Sequence, residues 1–223
     1  MGHPARIAVK PLIVLPGVFR PRSDTWQLAQ AACAETLPPN ARILELCAGP
    51  AAAGVAAARY HAGTLTTVDV SRRAGWSARL NGRLHGVRVR ALRGDLLAPV
   101  GGERFDLIVA NPPYVPGPPP PARGAARAWE AGADGRAVLD RICAQAPAHL
   151  APGGVLLVVH SEVCDPEATL AAFVAEGLEV DVPSRRRGPL GPLLRARRET
   201  LEARGLLARG QHAEDVVVVR GRA

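Results

Sequence analysis

The tetrapeptide Asn111-Pro112-Pro113-Tyr114 carries the residue types best suited to chemistry on a planar nitrogen. Asn111 offers a side-chain carbonyl as acceptor, and Pro112 a backbone carbonyl with no N–H of its own. Each proline disfavours the helical region for the residue before it, so the stretch is a stiff, non-helical loop. Two acceptors beside the ring of Tyr114 suit an NH2 group: the acceptors take its two hydrogens and the ring lies on its π-face. The same residues also read as a plain proline-rich loop after a strand, so the surrounding elements decide between the two.

Phe105 to Ala110 is an apolar run that reads as a buried parallel strand, delivering the tetrapeptide to the carboxyl edge of a sheet, where open α/β sheets bind ligands. A second unit lies upstream. Arg42 to Cys47 reads as a strand, Ala48-Gly49-Pro50 as a small-residue turn, Ala52 to Tyr60 as a helix, and Thr64 to Asp69 as the next strand. This is the mechanical pattern of a nucleotide-like cofactor site, with Asp69 placed to accept from a ribose diol. The turn reads Cys47-Ala48-Gly49-Pro50-Ala51 and not G-x-G-x-x-G, which argues against a pyrophosphate and for a cofactor without phosphates. Glu45 inside the strand points the same way, since an anion there repels pyrophosphate and suits a cationic amino group. Asp95, ending a third strand at Val87 to Leu92, is placed to accept from an adenine amine. The competing reading is an ordinary α/β core with acids at its strand ends.

Further elements fill in the frame. Residues 6–19 suggest one or two short strands leading in, and Ser23 or Asp24 is a candidate cap for a helix to about Leu37. Ser71 caps a helix to about Leu84, a helix spans about Gly135 to Leu150, and Val155 to His160 is a strand. Asp165 opens a helix to about Glu176, Leu178 to Val182 is a strand, and Asp215 to Arg220 closes the chain. Alternating strands and helices predict a Rossmann-like α/β fold: one domain over 1–223, with a doubly wound sheet of seven strands, mostly parallel, the last antiparallel. The stretch at about 184–211 breaks the rhythm, with eight arginines against two glutamates, and is predicted as an Arg-rich insertion forming a basic arm or helical hairpin beside the site.

The set Glu45-Leu46-Cys47-Ala48-Gly49, Asp69, Gly94-Asp95-Leu96 and Asn111-Pro112-Pro113-Tyr114 resembles class I S-adenosylmethionine-dependent methyltransferases. Pro21-Arg22-Ser23-Asp24-Thr25 is similar to the P-R-x-[DE]-T element of the HemK/PrmC family of protein glutamine N5-methyltransferases. Ala128-Trp129-Glu130-Ala131-Gly132-Ala133-Asp134-Gly135-Arg136 resembles the segment after NPPY in the standalone HemK-like form. The resemblance covers roughly residues 16 to 183 and the last strand. It implies that Thr25, Glu45, Cys47, Ala48, Gly49, Asp69, Asp95, Leu96 and Asn111 line an S-adenosylmethionine pocket, with Asn111, Pro112 and Tyr114 at the methyl acceptor. The chain departs from the family in lacking the N-terminal helical domain of the bacterial enzymes, in the segment at 184–211, and at Ala51, where glycine is usual. Alanine there is harmless if its φ is negative and otherwise crowds the cofactor's methionine end.

Bulk properties bound the partners. The formal net charge of +8 favours an anionic partner such as nucleic acid or a ribonucleoprotein. Lys10 is the only lysine, a bias of coding that makes arginine-for-lysine choice uninformative. Cys33, Cys47, Cys143 and Cys164 have no C-x-x-C spacing, and no H-x-x-x-H pair occurs, so neither zinc nor a disulfide framework is signalled and a cytoplasmic protein with reduced thiols is expected. No apolar run reaches membrane-spanning length. Gly117 to Pro121 reads as a polyproline ligand or a stiff loop over the substrate mouth, and Trp129 as an exposed platform or a packing anchor. Arg185-Arg186-Arg187 with Arg195, Arg197 and Arg198 reads as an RNA- or ribosome-binding patch or a solvated helix face. His160-Ser161-Glu162 has no G-x-S-x-G elbow and excludes hydrolase chemistry of that type. The expected function is N-methylation of a protein glutamine, for example in a translation release factor. The alternatives are an RNA or DNA base amine methyltransferase and a non-catalytic cofactor- or partner-binding module. The residues name no oligomeric state and no activator subunit.

Overall fold

The computed structural model describes Val9 and residues 11–223. The strands are β1 (Arg42–Leu46), β2 (Thr64–Asp69), β3 (Val89–Arg93), β4 (Phe105–Ala110), β5 (Leu150–Ser161), β6 (Glu179–Pro189) and β7 (Ala213–Arg222). The helices are α1 (Ser23–Ala34), α2 (Ala52–Tyr60), α3 (Arg72–Leu84), α4 (Leu139–Gln145), α5 (Pro166–Ala175), α6 (Pro192–Ala196) and α7 (Arg198–Ala203). The strands form one sheet in the order β3-β2-β1-β4-β5-β7-β6, with β1 to β5 parallel and β7 antiparallel to both of its neighbours. The predicted doubly wound sheet with an antiparallel last strand is therefore the observed one. The order reverses between β1 and β4, so a crevice opens between their carboxyl ends.

Two apolar layers sandwich the sheet. Leu28, Val55, Ile43, Leu107, Leu157 and Val218 pack on the α1–α3 face. Leu44, Ile108, Ile142, Leu156, Phe173 and Val217 pack on the α4–α5 face. Strands β1, β4 and β5 read as continuous apolar runs because both of their faces are covered. Helix α2 is mostly alanine and lies close on β1; a Cβ on Gly54 would sit 2.5 Å from Glu45 Oε2 and 2.7 Å from Leu65 Cδ1.

Several expected bounds shift for local reasons. Residues 11–19 form irregular chain with a turn at 16–18 instead of strands, and the rest of the predicted lead-in, apart from Val9, lies outside the described residues. The Asn81 amide fixes this lead-in, accepting from Ile13 N–H at 2.7 Å and donating to the Ile13 carbonyl at 3.0 Å and the Pro50 carbonyl at 2.9 Å. Helix α1 caps on Arg22, whose N–H is received by Thr25 Oγ1 at 3.4 Å, which leaves Asp24 for other work. Helix α4 starts at Leu139 because Gly135 sits at φ +81° and the Asp134 carboxylate accepts Arg136 N–H at 2.9 Å, a turn that holds the chain out of helix. Ser71 and Asp165 cap as expected, accepting from Ala74 N–H (3.4 Å) and Ala168 N–H (3.1 Å).

The largest correction concerns 184–211. Strand β6 continues to Pro189, so Arg185, Arg186 and Arg187 belong to the sheet edge and not to an arm. Two short helices follow, and Leu190, Leu194, Leu201 and Leu207 bury against Val163 with Val115 packed on them.

Candidate functional site

The turn after β1 is built from backbone conformations that side chains rarely adopt. Cys47, Gly49 and Ala51 all have positive φ, at 51°, 52° and 61°. The negative φ that would make Ala51 harmless is therefore not what the chain adopts; the residue is left-handed and fully buried. Left-handed backbone costs an L-residue roughly 1–2 kcal/mol. What holds the turn is acid. Asp69 Oδ2 accepts Gly49 N–H at 2.9 Å while its Oδ1 accepts Ser71 N–H at 2.8 Å. Glu45 Oε2 accepts Gly54 N–H at 2.9 Å in the first turns of α2. Burial pushes the Glu45 carboxyl up to about 8 and raises Asp69 as well. Glu45 thus lies buried beneath the turn and braces it.

Beside this turn, at the ends of β2 and β3, a cavity of about 310 Å³ is lined by Val70, Arg93, Gly94, Asp95 and Arg127. Asp95 faces it but is already paired with Arg141 at 2.6 Å. Leu96, next in the chain, is buried with φ 45°. Each Asp69 oxygen keeps a lone pair beyond its backbone contact. Arg127, from the loop after Tyr114, comes close enough to favour the Asp69 carboxylate, and its buried Nε–H has no partner among the described residues. Acid, small residues and a nucleoside-sized cavity suit a nucleoside cofactor without phosphates.

The other side of the crevice is organised by Asp24, which the sequence offered as a candidate helix cap and as part of the Pro21 to Thr25 element. Asp24 Oδ2 accepts from Asn111 Nδ2 at 3.2 Å and from the Tyr114 hydroxyl at 2.9 Å. Thr25 Oγ1 takes the same Asn111 amide group at 3.2 Å. A carboxylate only accepts, so the Asn111 NH2 must face Asp24 and its Oδ1 must point elsewhere. Neither that oxygen nor the Pro112 carbonyl accepts a hydrogen bond from the described residues. Burial, and then the neighbouring Asp24, hold the Tyr114 phenol well above its usual range, so it stays a donor.

The loop from Tyr114 to Arg136 is pinned from three sides. The Cys164 thiol donates to the Tyr114 carbonyl at 2.9 Å, and Gly135 packs so close that a Cβ would lie 2.5 Å from that oxygen. Buried Arg136 donates to the Cys164 carbonyl, to the Asp165 carbonyl (2.8 Å) and to Thr169 Oγ1 (3.1 Å). Arg197 grips Glu130 through both nitrogens, at 2.5 and 3.0 Å, and donates to the Pro116 carbonyl at 2.9 Å. Arg204 adds a bond to the Ala133 carbonyl at 2.5 Å. The prolines at 118–120 stay exposed, while Trp129 is half-buried with its indole N–H on Glu130.

The arginines expected to grip nucleic acid are differently engaged. Arg185 and Arg187 face Asp215 at 3.3 and 3.8 Å, whereas Arg186 points to the opposite face and bonds Gln30. Strand alternation splits the triplet, so it makes no single patch. Ser161 and Glu214 form a further buried pair, with Glu214 also accepting Gly191 N–H at 2.8 Å. Asp24, Arg127, Arg136, Arg197 and Glu214 were not singled out as site residues. Asp24 and Arg136 had a signal, lying inside Pro21 to Thr25 and Ala128 to Arg136, and Arg197 was read as part of a basic patch; Arg127 and Glu214 act through contacts that no local pattern announces.

Comparisons with known proteins give the family and the fold. A family model described as Methyltransferase small domain matches residues 11–181. The chain is 42% identical over 126 residues to the ribosomal protein uL3 glutamine methyltransferase of Bradyrhizobium diazoefficiens, covering 52% of this chain and 39% of that one. It is 36% identical over 185 residues to the release factor glutamine methyltransferase of Mycolicibacterium smegmatis, covering 78% and 64%. It thus spans less than two thirds of the length of either relative. The crystal structure of a ribosomal protein L11 methylase from Lactobacillus delbrueckii subsp. bulgaricus superposes with a TM-score of 0.58 at 17% identity, covering 92% and 82%, and shares the class I methyltransferase fold. The chain belongs to the methyltransferase small domain family and, within it, is of the HemK/PrmC type.

Proposed function

We propose that the protein transfers a methyl group from S-adenosylmethionine to the side-chain amide nitrogen of a protein glutamine. The observation that carries this reading is the orientation of Asn111, whose NH2 is tied to Asp24 and Thr25 so that its carbonyl oxygen is left to accept. With the Pro112 carbonyl it offers two acceptors for the two hydrogens of one planar amide, and Tyr114 offers its ring as a lid on the amide plane.

When bound, the cofactor supplies an electrophilic methyl group on a sulfonium. In this reading Asp69 holds the ribose hydroxyls, Asp95 and Leu96 border the adenine, and Cys47, Ala48 and Gly49 let backbone approach the methionine portion. Thr25 keeps Asn111 in register between the two ligands. The chain's own work is then orientation. The acceptors remove rotational freedom from the NH2 and raise electron density on the nitrogen as the N–C bond forms. The amide lone pair would form that bond as the methyl–sulfur bond breaks and its electron pair stays on sulfur, leaving a neutral thioether. One N–H proton would then be lost to solvent, and no group would have to take the proton beforehand.

The names of the relatives support a release factor or a ribosomal protein as substrate class. A single domain with the 184–211 segment built into it is part of the same reading, supported by seven strands in one sheet. Among the described residues no helix is long and apolar enough to cross a membrane. A cytoplasmic setting is supported by four free cysteines. The test is to incubate the protein with labelled cofactor and cell lysate, then treat parallel samples with nuclease or protease. Label that survives nuclease, disappears with protease and maps to a glutamine is the expected result. Label released by nuclease favours methylation of a base amine and overturns the glutamine reading.

A further inference from the structure

The net positive charge still lacks a structural account at 184–211, where half of the arginines face carboxylates. It is concentrated elsewhere. From Val70 to Arg93 the chain holds seven arginines and no acid. Among the described residues only Arg90 of these pairs with a carboxylate, Glu103 at 2.7 Å. Residues 1–10, whose sequence contains no Asp or Glu, bring nothing to neutralise the rest.

Spacing turns this charge into a surface. Ala74, Ser77, Ala78, Asn81 and Gly82 bury the inner side of α3. Arg72, Trp76, Arg79 and Arg83 follow at intervals of four, three and four, which is one stripe on the outer side, and all four are exposed. Trp76 is 59% exposed, an uncommon position for an indole in a surface without a partner. The Arg79 guanidinium lies 5.5 Å over its ring and donates to the Ala91 carbonyl at 2.7 Å, so the pair is held as a unit. Exposed Arg88 extends the stripe at the approach to β3, the edge strand of the sheet.

We propose that this α3–β3 edge is a docking surface for single-stranded RNA, separate from the methyl-acceptor site and independent of its chemistry. The chemistry that recognises it is specific in kind. Guanidinium groups one helical turn apart offer paired donors to successive phosphates, and an exposed indole with a stacked arginine offers a flat platform for a base. The lack of any acid along the stripe makes a mixed-charge protein surface a poor complement. The edge lies three strands from β4, so RNA held there does not enter the crevice at Asn111 but brings the crevice near whatever the RNA carries.

The experiment measures binding of the full chain to a labelled single-stranded RNA of about 12 nucleotides, by fluorescence anisotropy across a salt series. The wild-type protein binds saturably, with affinity falling as salt rises. Changing Arg72→Gln, Arg79→Gln and Arg83→Gln together weakens binding at least tenfold and makes the log–log salt slope shallower by about 2, from roughly 0.7 per lost single-strand contact. Trp76→Ala weakens binding at least fivefold and leaves that slope unchanged. Arg185→Gln with Arg187→Gln binds within twofold of wild type, and circular dichroism melting checks that each variant is folded. The proposal is overturned if the triple variant binds like wild type, if the Arg185 and Arg187 variant loses as much, or if no saturable RNA binding occurs. Capture by phosphatidylserine vesicles without RNA binding also overturns it and assigns the stripe to a membrane surface.

Discussion

The two halves of the crevice are held by opposite means. The β1–β3 half relies on short loops and backbone: Glu45 reaches Gly54 nine residues on, and Asp69 reaches Gly49 twenty residues back. The β4–β7 half relies on side chains that cross the chain: Asp24 meets Asn111 over 87 residues, and Arg197 meets Glu130 over 67. One half stores backbone strain braced by nearby acids, the other stores side-chain pairs between distant parts of the chain. A site that must fit one constant cofactor can be a rigid turn. A site that must admit a macromolecular substrate needs a loop that is held at defined points and can be altered without unfolding the sheet.

This contrast predicts which changes hurt which function. The largest effect is expected from Asn111→Ala, which removes an acceptor at the reacting nitrogen. Turnover should fall about a hundred- to a thousandfold, while cofactor affinity by calorimetry stays within about tenfold. Near-normal turnover in this variant would show that the oxygen freed by Asp24 orients nothing.

Next in size is a pH effect confined to the cofactor half. Because burial raises Glu45 to about 8, the folded chain keeps a proton that the unfolded chain gives up above its ordinary pKa of 4.5. Stability therefore falls as pH rises from about 4.5 to 8, at up to about 1.4 kcal/mol per pH unit. Asp69 is shifted in the same direction and steepens the fall. Glu45→Gln should flatten most of this slope in denaturant melts between pH 5 and 8, leaving the part due to Asp69. An unchanged slope would mean that Glu45 does not stay protonated beneath the turn.

Cutting the clamp is the matching test of the other half. Arg197→Ala strands the mostly buried Glu130 carboxylate and should cost about 2 kcal/mol. Limited proteolysis should then cut faster between residues 115 and 136 than in wild type, with cofactor affinity little changed. Equal loss of cofactor affinity would erase the distinction between the halves. The smallest effect is expected at Ala51. Ala51→Gly relieves roughly 1–2 kcal/mol of left-handed strain but gives up a buried methyl group worth about 0.8 kcal/mol. A rise in melting temperature of about 2 °C is expected, and a fall would show that the methyl group packs better than the backbone suffers.

Legibility in the sequence follows the same division. The strand, turn, helix and terminal acid of residues 42–69 lie close together in the chain, so their pattern indicated a doubly wound sheet with a cofactor site at its strand ends. The sign of φ at Ala51 was not readable, because it depends on what Asp69 and Glu45 hold around the turn. In the other half, Asn111 to Tyr114 stood out by composition, yet the orientation of Asn111 depends on Asp24, whose place near a helix start suggested a cap. The stretch at about 184–211 looked like an arm because it breaks the strand–helix rhythm, carries arginines and prolines, and is longer than a usual connection. Edge position reverses that judgement: charge on an edge strand deters pairing with another chain, and β6 is such an edge.

The place of β7 has a consequence for how the molecule is made. It lies between β5 and β6 and bonds to both, with Val217, Val218 and Val219 fully buried. During synthesis β1 to β4 can pair as they emerge, but β5 keeps a bare flank and β6 has no neighbour until residues 213–222 have left the ribosome. The nascent chain thus completes its cofactor pocket well before the wall that supports its substrate loop. A chain truncated after His212 and released from the ribosome should be protected from protease around α2 and β2 and cleaved throughout 179–211; uniform protection would show that the wall forms without its central strand.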